Sequence, residues 1–110
     1  MVIKQGSIIN VRLNPTIGSE QAGYRPALVI SNETFNRHSN LLIILPISNT
    51  DNGFPLHVTL GDSCETKGFI LCEHIKSIDS KARKIKVVEQ LPKDILKKAI
   101  ALVKAEVSFE

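Results

Sequence analysis

A mainly β chain with one C-terminal α-helix is the fold class that this sequence predicts, and three observations predict it. Up to Gln90 the apolar residues alternate or run in short β-branched blocks, polar stretches rich in Gly, Asn and Pro separate those blocks, and only the segment after Leu91-Pro92 has helical spacing. The expected product is a small, curved, mostly antiparallel sheet or barrel of about six short strands, packed against that helix.

The elements follow in chain order. Ser7 to Leu13 alternates, with Ile9, Val11 and Leu13 on one face and Asn10 and Arg12 on the other, the period of a half-buried strand. Ala27 to Ile30 and Leu41 to Ile47 are continuous apolar runs and predict central strands covered on both faces. Between them, "SNETFNRHSN" offers Ser and Asn caps for one helical turn. "DNGFP" at 51–55 is a turn by composition, Leu56 to Leu60 a short strand, and Gly61 to Gly68 a polar connection. "FILCEHI" at 69–75 predicts one strand, with Cys72 buried in it, and Ile85 to Gln90 another, with Ile85 and Val87 facing inward. In the last segment Ile95, Leu96, Ala99, Ile100, Val103 and Val107 form an apolar stripe opposite Lys93, Lys97, Lys98 and Lys104, with Pro92 suited to the first turn.

Composition narrows the class. The 110 residues, 43% hydrophobic and 23% charged, predict a single folded domain spanning 1–110. The longest apolar run, Leu41 to Ile47, is too short to span a bilayer, and the first residues lack the pattern of a secretory signal, so a cytoplasmic protein with no membrane partner is expected. Cys64 and Cys72 form no CxxC pair and have no His at metal-ligand spacing, which predicts two free thiols and no metal. A formal charge of +3, with Lys81, Arg83, Lys84 and Lys86 close together, favours an anionic partner such as RNA, DNA or an acidic protein segment.

Several residues invite a chemical role. Arg25 stands directly before Pro26, where extended geometry is favoured and a guanidinium can fork two donors onto a phosphate; an exposed or salt-bridged arginine fits the same residues. Ahead of it, the 14–23 loop carries Ser19, Glu20 and Gln21 between Gly18 and Gly23, side chains able to meet bases or phosphates, although any surface turn has this composition. Ser48 and Thr50 lie past the Leu41 to Ile47 strand, where hydroxyls can reach a ligand or simply build a turn. His38, His57 and His74 fall singly in three segments. No phosphate loop, dinucleotide fingerprint, HExxH or GxSxG is present, which disfavours nucleotide-dependent and common hydrolase chemistries.

The order of motifs adds a resemblance. "GSIINVRLNPTIGSEQAGYRPALVISNETFN", "LIILPIS", "TKGFILCEHIKSIDSKAR" and the terminal amphipathic segment together resemble the MazF/PemK family of toxins from toxin–antitoxin systems, from about Gly6 to Val107. The resemblance implies a small SH3-like β-barrel with a C-terminal helix, of the CcdB/MazF/PemK type. It also implies a homodimer, a cognate antitoxin partner, and a cofactor-free, metal-independent endoribonuclease that cuts single-stranded RNA at short sequences through the RNA's own 2′-hydroxyl, leaving a cyclic phosphate. In that frame Arg25 and Ser48 are the catalytic pair, Ser48 standing where much of the family has threonine. Ser19, Glu20, Gln21 and Lys76 become RNA-binding residues, Lys76 taking a place often held by arginine. The related CcdB toxins, which bind a protein target and do not cut RNA, supply the competing expectation, as does an inactive RNA-binding barrel.

Overall fold

The computed structural model describes residues 2–12, 24–50 and 53–110. Seven strands, two α-helices and one 3-10 turn follow one another in these residues: β1 (Ser7–Val11), β2 (Arg25–Val29), α1 (Glu33–His38), β3 (Leu41–Ser48), β4 (His57–Thr59), the 3-10 turn (Gly61–Ser63), β5 (Phe69–Leu71), β6 (Lys76–Asp79), β7 (Ile85–Gln90) and α2 (Lys93–Glu106). All ladders are antiparallel, in the order β4-β5-β3-β2-β1-β7, with β6 also paired to β3.

The alternation of the strands sends side chains into two cores, one on each side of the sheet. Ile8, Leu28, Leu45, Ile47, Val58 and Ile70 pack beneath α2, which contributes buried Ala99 and half-buried Ile95, Leu96, Leu102 and Val103. Ile9, Val11, Ala27, Val29, Leu42 and Ile44 form the second core. Ile78 of β6 and Ile85 of β7, strands attached through β3 and β1, meet in that same cluster, so the sheet curls around it in the manner of a barrel. Burying apolar surface on both faces of so small a sheet is the main source of its stability.

Five expectations change. First, β1 is covered on both faces and not half-buried, because Ile8 enters the α2-side core while Ile9 and Val11 enter the other. Second, "FILCEHI" is not one strand: β5 stops at Leu71 and the chain turns, His74 N–H bonding to the Leu71 carbonyl, before β6 begins, which raises the strand count to seven. Both strands pair with the same edge of β3, yet a step from Ile44 to Ile47 is matched by a step from Lys76 back to Ile70, so the surplus residues leave the ladder as a turn. Third, Cys72 sits in that turn, though fully buried as expected. Fourth, Val87 faces the side of Ile9, its ladder partner, but β7 ends the sheet and leaves Val87 49% exposed; a register shift between Ile8 and Ile9 makes Val88 an extra residue there. Fifth, the α2 stripe includes Leu102, whereas Val107 lies past the helix and is 73% exposed.

The helical turn and the burial of Cys72 are as expected. The turn between β2 and β3 is helical over Glu33–His38, with the Asn32 side chain accepting from the Phe35 N–H at 2.9 Å. Both cysteines are free and buried, and burial pushes the Cys72 thiol up to about 11. Among the described residues no helix is long and apolar enough to cross a membrane.

Candidate active site

The β2–β3 ladder sets Ala27 opposite Pro46, Leu28 opposite Leu45 and Val29 opposite Ile44. Continued two residues past its last pair, this register brings Arg25 to the level of Ser48, and residues at one level of an antiparallel pair project from the same face. Sequence alone placed these two residues in separate segments; the ladder makes them neighbours. Both line one cleft of about 340 Å³, together with Tyr24, Asn49, Thr50 and Lys67.

Local chemistry fixes each wall of this cleft. Pro26 holds the backbone before it extended, so Arg25 opens β2, exposed at the cleft. The Ser48 Oγ accepts a hydrogen bond from the Thr50 N–H at 3.1 Å. The turn reading of Ser48 is the one seen, and it leaves the hydroxyl hydrogen available to donate.

The opposite wall begins at Gly68, whose φ is +125°, a conformation that side-chain-bearing residues rarely adopt. A Cβ there would lie 2.5 Å from the Ser48 carbonyl oxygen and 3.0 Å from its carbon. Glycine thus lets the start of β5 close onto the end of β3, and that approach brings Lys67 into the cleft. The Lys67 Nζ donates to the Cys64 carbonyl at 3.2 Å, which anchors the ammonium.

Glu89 on β7 secures this loop from behind. Its carboxylate accepts from Glu65 N at 3.1 Å, Thr66 N at 2.7 Å and Thr66 Oγ1 at 2.7 Å. Burial works to raise the Glu89 carboxyl, but these donors and the nearby Lys67 charge outweigh it and hold the group below its ordinary value. Neither Lys67 nor Glu89 stood out in the sequence. The signal available for Lys67 was its position before a glycine in "TKGF"; Glu89 had none, because its donors lie about two dozen residues away.

The remaining site expectations divide. Lys76 opens β6 opposite Ile44, exposed, four positions along β3 from Ser48 and outside the lining of this cleft. Ser19, Glu20 and Gln21, with the rest of the 14–23 loop, lie outside the described residues. The histidines also stand away from the cleft lining. His57 Nε2 meets Glu73 Oε2 at 2.7 Å, His74 Nε2 reaches the same oxygen at 3.5 Å, and His38 Nδ1 lies 2.9 Å from the Thr34 carbonyl. Burial would raise the Glu73 carboxyl, yet the bond from His57, its own backbone N–H and the two histidine charges leave it below the ordinary value. Among the described residues no group of three or more His, Cys, Asp or Glu is placed to hold a metal ion.

What this cleft can do chemically is bind an anionic group: Arg25, Lys67 and Ser48, two cationic residues and one hydroxyl from three elements, line it. Known proteins share the frame. Over 103 residues the chain is 33% identical to endoribonuclease PemK of Escherichia coli, covering 89% of this chain and 77% of that protein. It is 38% identical over 78 residues to the endoribonuclease toxin MazF of Escherichia coli, covering 71% and 69% respectively. Among solved structures, MazF of Deinococcus radiodurans superposes with a TM-score of 0.86 at 28% identity, over 99% of each chain. A MazE–MazF complex from the same organism gives a TM-score of 0.90 at 27% identity, over 100% of this chain and 99% of the other. A sequence model described as the PemK-like, MazF-like toxin of type II toxin–antitoxin systems matches residues 4–105. With the curled sheet, the C-terminal helix and nearly its whole length accounted for, the chain belongs to the PemK/MazF family of toxins.

Proposed function

We propose that this chain is a single-domain endoribonuclease toxin that cuts single-stranded RNA at short sequences without a metal ion. The observation that carries the reading is the placement of Arg25 and Ser48 on one cleft, at the ends of two paired strands. In the proposed reaction the RNA 2′-oxygen attacks the adjacent phosphorus, the P–O5′ bond breaks, and the products are a 2′,3′-cyclic phosphate and a free 5′-hydroxyl. The nucleophile belongs to the substrate, so the protein's tasks are to hold the 2′-oxygen in line and to stabilise charge on the phosphorane.

Arg25 suits the second task, because a planar guanidinium donates to two phosphate oxygens at once. A guanidinium holds its proton too firmly to serve as a base at neutral pH. The Ser48 hydroxyl, oriented by the Thr50 N–H, donates to a phosphate oxygen, and Lys67 adds a second positive charge from the facing loop. Ser19, Glu20, Gln21 and Lys76 position the RNA beyond the cleft.

The MazE–MazF complex of Deinococcus radiodurans supports a cognate antitoxin as partner, and exposed apolar residues such as Val87, Val107 and Phe109 support a homodimer that shares surface with it. An acidic antitoxin segment would compete with RNA for the basic surface. The site of action is the cytoplasm, where the substrate is. Incubating the purified protein with long mixed-sequence RNA in EDTA, then sequencing the ends, tests the reading. Cuts at a short recurring sequence, ending in cyclic phosphate, are expected. Intact RNA alongside tight binding to a protein target would favour the CcdB-like alternative.

A further inference from the structure

Tyr24 precedes β2 by one residue and is 51% exposed, an unusual investment of aromatic surface in a chain that has one tyrosine and no tryptophan. Its position is as informative as its exposure. It lines the Arg25–Ser48 cleft, and it also lines two neighbouring hollows, one of about 390 Å³ with Asn10, Lys84 and Lys86, the other of about 400 Å³ with Arg12, Arg83 and Lys84. No described carboxylate lines either hollow. The Arg12 guanidinium lies 6.0 Å from the centre of the Tyr24 ring, within reach of a cation–π contact, and Arg83 Nη1 donates to the Arg12 carbonyl at 2.6 Å. The end of β1 is thereby tied to the turn before β7, and the ring is steadied from one side.

A positively charged groove interrupted by an exposed, steadied aromatic ring is the arrangement that binds single strands: the cations follow the phosphates and each base offers a flat face for stacking. We propose that Tyr24 is a base-stacking platform for single-stranded RNA, placed at the joint between the Arg25–Ser48 cleft and a basic groove formed by Arg12, Lys84 and Lys86. The inference rests on the endoribonuclease reading and adds the route of the strand: the scissile phosphate sits at Arg25, the adjoining base lies on Tyr24, and the backbone continues along the groove. Stacking is tolerant of base identity, so Tyr24 supplies affinity and in-line orientation and leaves the choice of sequence to other contacts.

The test measures binding by anisotropy of a fluorescein-labelled 2′-O-methyl oligoribonucleotide of mixed sequence, which cannot be cut, with inorganic polyphosphate as a competitor that has charge and no bases. Tyr24→Ala is expected to weaken oligonucleotide binding roughly tenfold or more, and Tyr24→Phe to stay within about twofold of wild type. Polyphosphate should compete with wild type and Tyr24→Ala equally, and the salt dependence should keep its slope, since stacking neutralises no phosphate. Oligonucleotide binding by Tyr24→Ala within twofold of wild type, in a protein whose wild type cuts RNA, would overturn the platform and leave the nuclease reading standing. A matching loss of polyphosphate affinity would also overturn it, showing that Tyr24 only holds Arg12 in place. A wild type that neither binds the oligonucleotide nor cuts RNA would overturn both readings.

Discussion

The carbonyl oxygen of Ser48 lies where a side chain on Gly68 would have to be: a Cβ at Gly68 would come within 2.5 Å of it. This contact is between backbones, so no rotamer change relieves it, and φ at +125° adds a second obstacle to any other residue. Gly68→Ala should therefore push β5 away from the end of β3, at a cost of roughly 1–3 kcal/mol in stability. The same displacement moves Ser48 and Lys67 apart across the cleft. Thermal melting should show the loss of stability, and single-turnover cleavage at a temperature where the variant is folded should fall by about tenfold or more. A variant that melts lower but cuts at the wild-type rate would show that the closeness of these two residues serves the fold alone.

The Arg25 and Ser48 pair makes the sharpest separation between chemistry and binding. Arg25→Ala should raise the barrier by roughly 3 kcal/mol, about a hundredfold or more in rate, as expected when one preorganised donor is lost. Arg25→Lys should recover little, because a point charge does not reproduce the planar fork. Ser48→Ala should slow cleavage, while Ser48→Thr keeps the hydroxyl that bonds the Thr50 N–H and should keep or raise activity. Single-turnover rates on a common RNA decide this, with circular dichroism confirming that each variant is folded. Undiminished cutting by a folded Arg25→Ala protein would mean that the reaction takes place elsewhere.

Glu89 links the loop behind the cleft to pH. Its folded carboxyl titrates below the ordinary value, so its stabilising contribution is complete above about pH 4.3, where an unfolded glutamate is ionised, and is lost as pH falls through the folded value. Glu73, held below its ordinary value beside His57, acts in the same direction. Denaturant midpoints measured from pH 6 down to 3 should fall for wild type. Glu89→Gln should fall less steeply over that range, and it should be less stable than wild type at pH 7 by about 1–3 kcal/mol, since a charged acceptor is replaced by a weaker one. Parallel acid limbs for the two proteins would remove Glu89 from this account.

How much could be read beforehand follows from which contacts are local. The helical turn needed only Asn32 and its N–H partner three residues on, and α2 needed only its own apolar spacing; both were legible in the sequence. Leu41 to Ile47 announced burial on two faces by lacking polar alternation. The interruption of "FILCEHI" was illegible, because it is decided by β3, whose edge takes β5 and β6 in registers that do not match, and by His57, which captures Glu73 in the resulting turn. Val87 misled for a related reason: alternation assigned it the correct face, but exposure depends on β7 being an end strand. In the candidate site, motif order named Arg25 and Ser48, while their meeting on one cleft required the β2–β3 pairing. Lys67 depended on a backbone approach at Gly68 that no side-chain pattern encodes.

Lys67 allows binding and chemistry to be weighed separately. Its ammonium is anchored to the Cys64 carbonyl at 3.2 Å, on a loop that Glu89 restrains, so it reaches the cleft as a placed charge and not as a freely swinging side chain. A lysine used in this way contributes a point charge to one phosphate and little geometric control over the transition state. Removing it should therefore weaken RNA binding more than it slows the step itself. Lys67→Ala should raise KM severalfold, leave the single-turnover rate at saturating RNA within about threefold of wild type, and reduce the slope of log affinity against log salt by about 0.7, the share of one phosphate contact on a single strand. Lys67→Arg should restore most of the affinity, because the charge and not its shape is what the phosphate meets. Should Lys67→Ala instead lower the saturated rate by a hundredfold with the salt slope unchanged, Lys67 would belong with Arg25 at the reacting phosphate, stabilising the phosphorane directly.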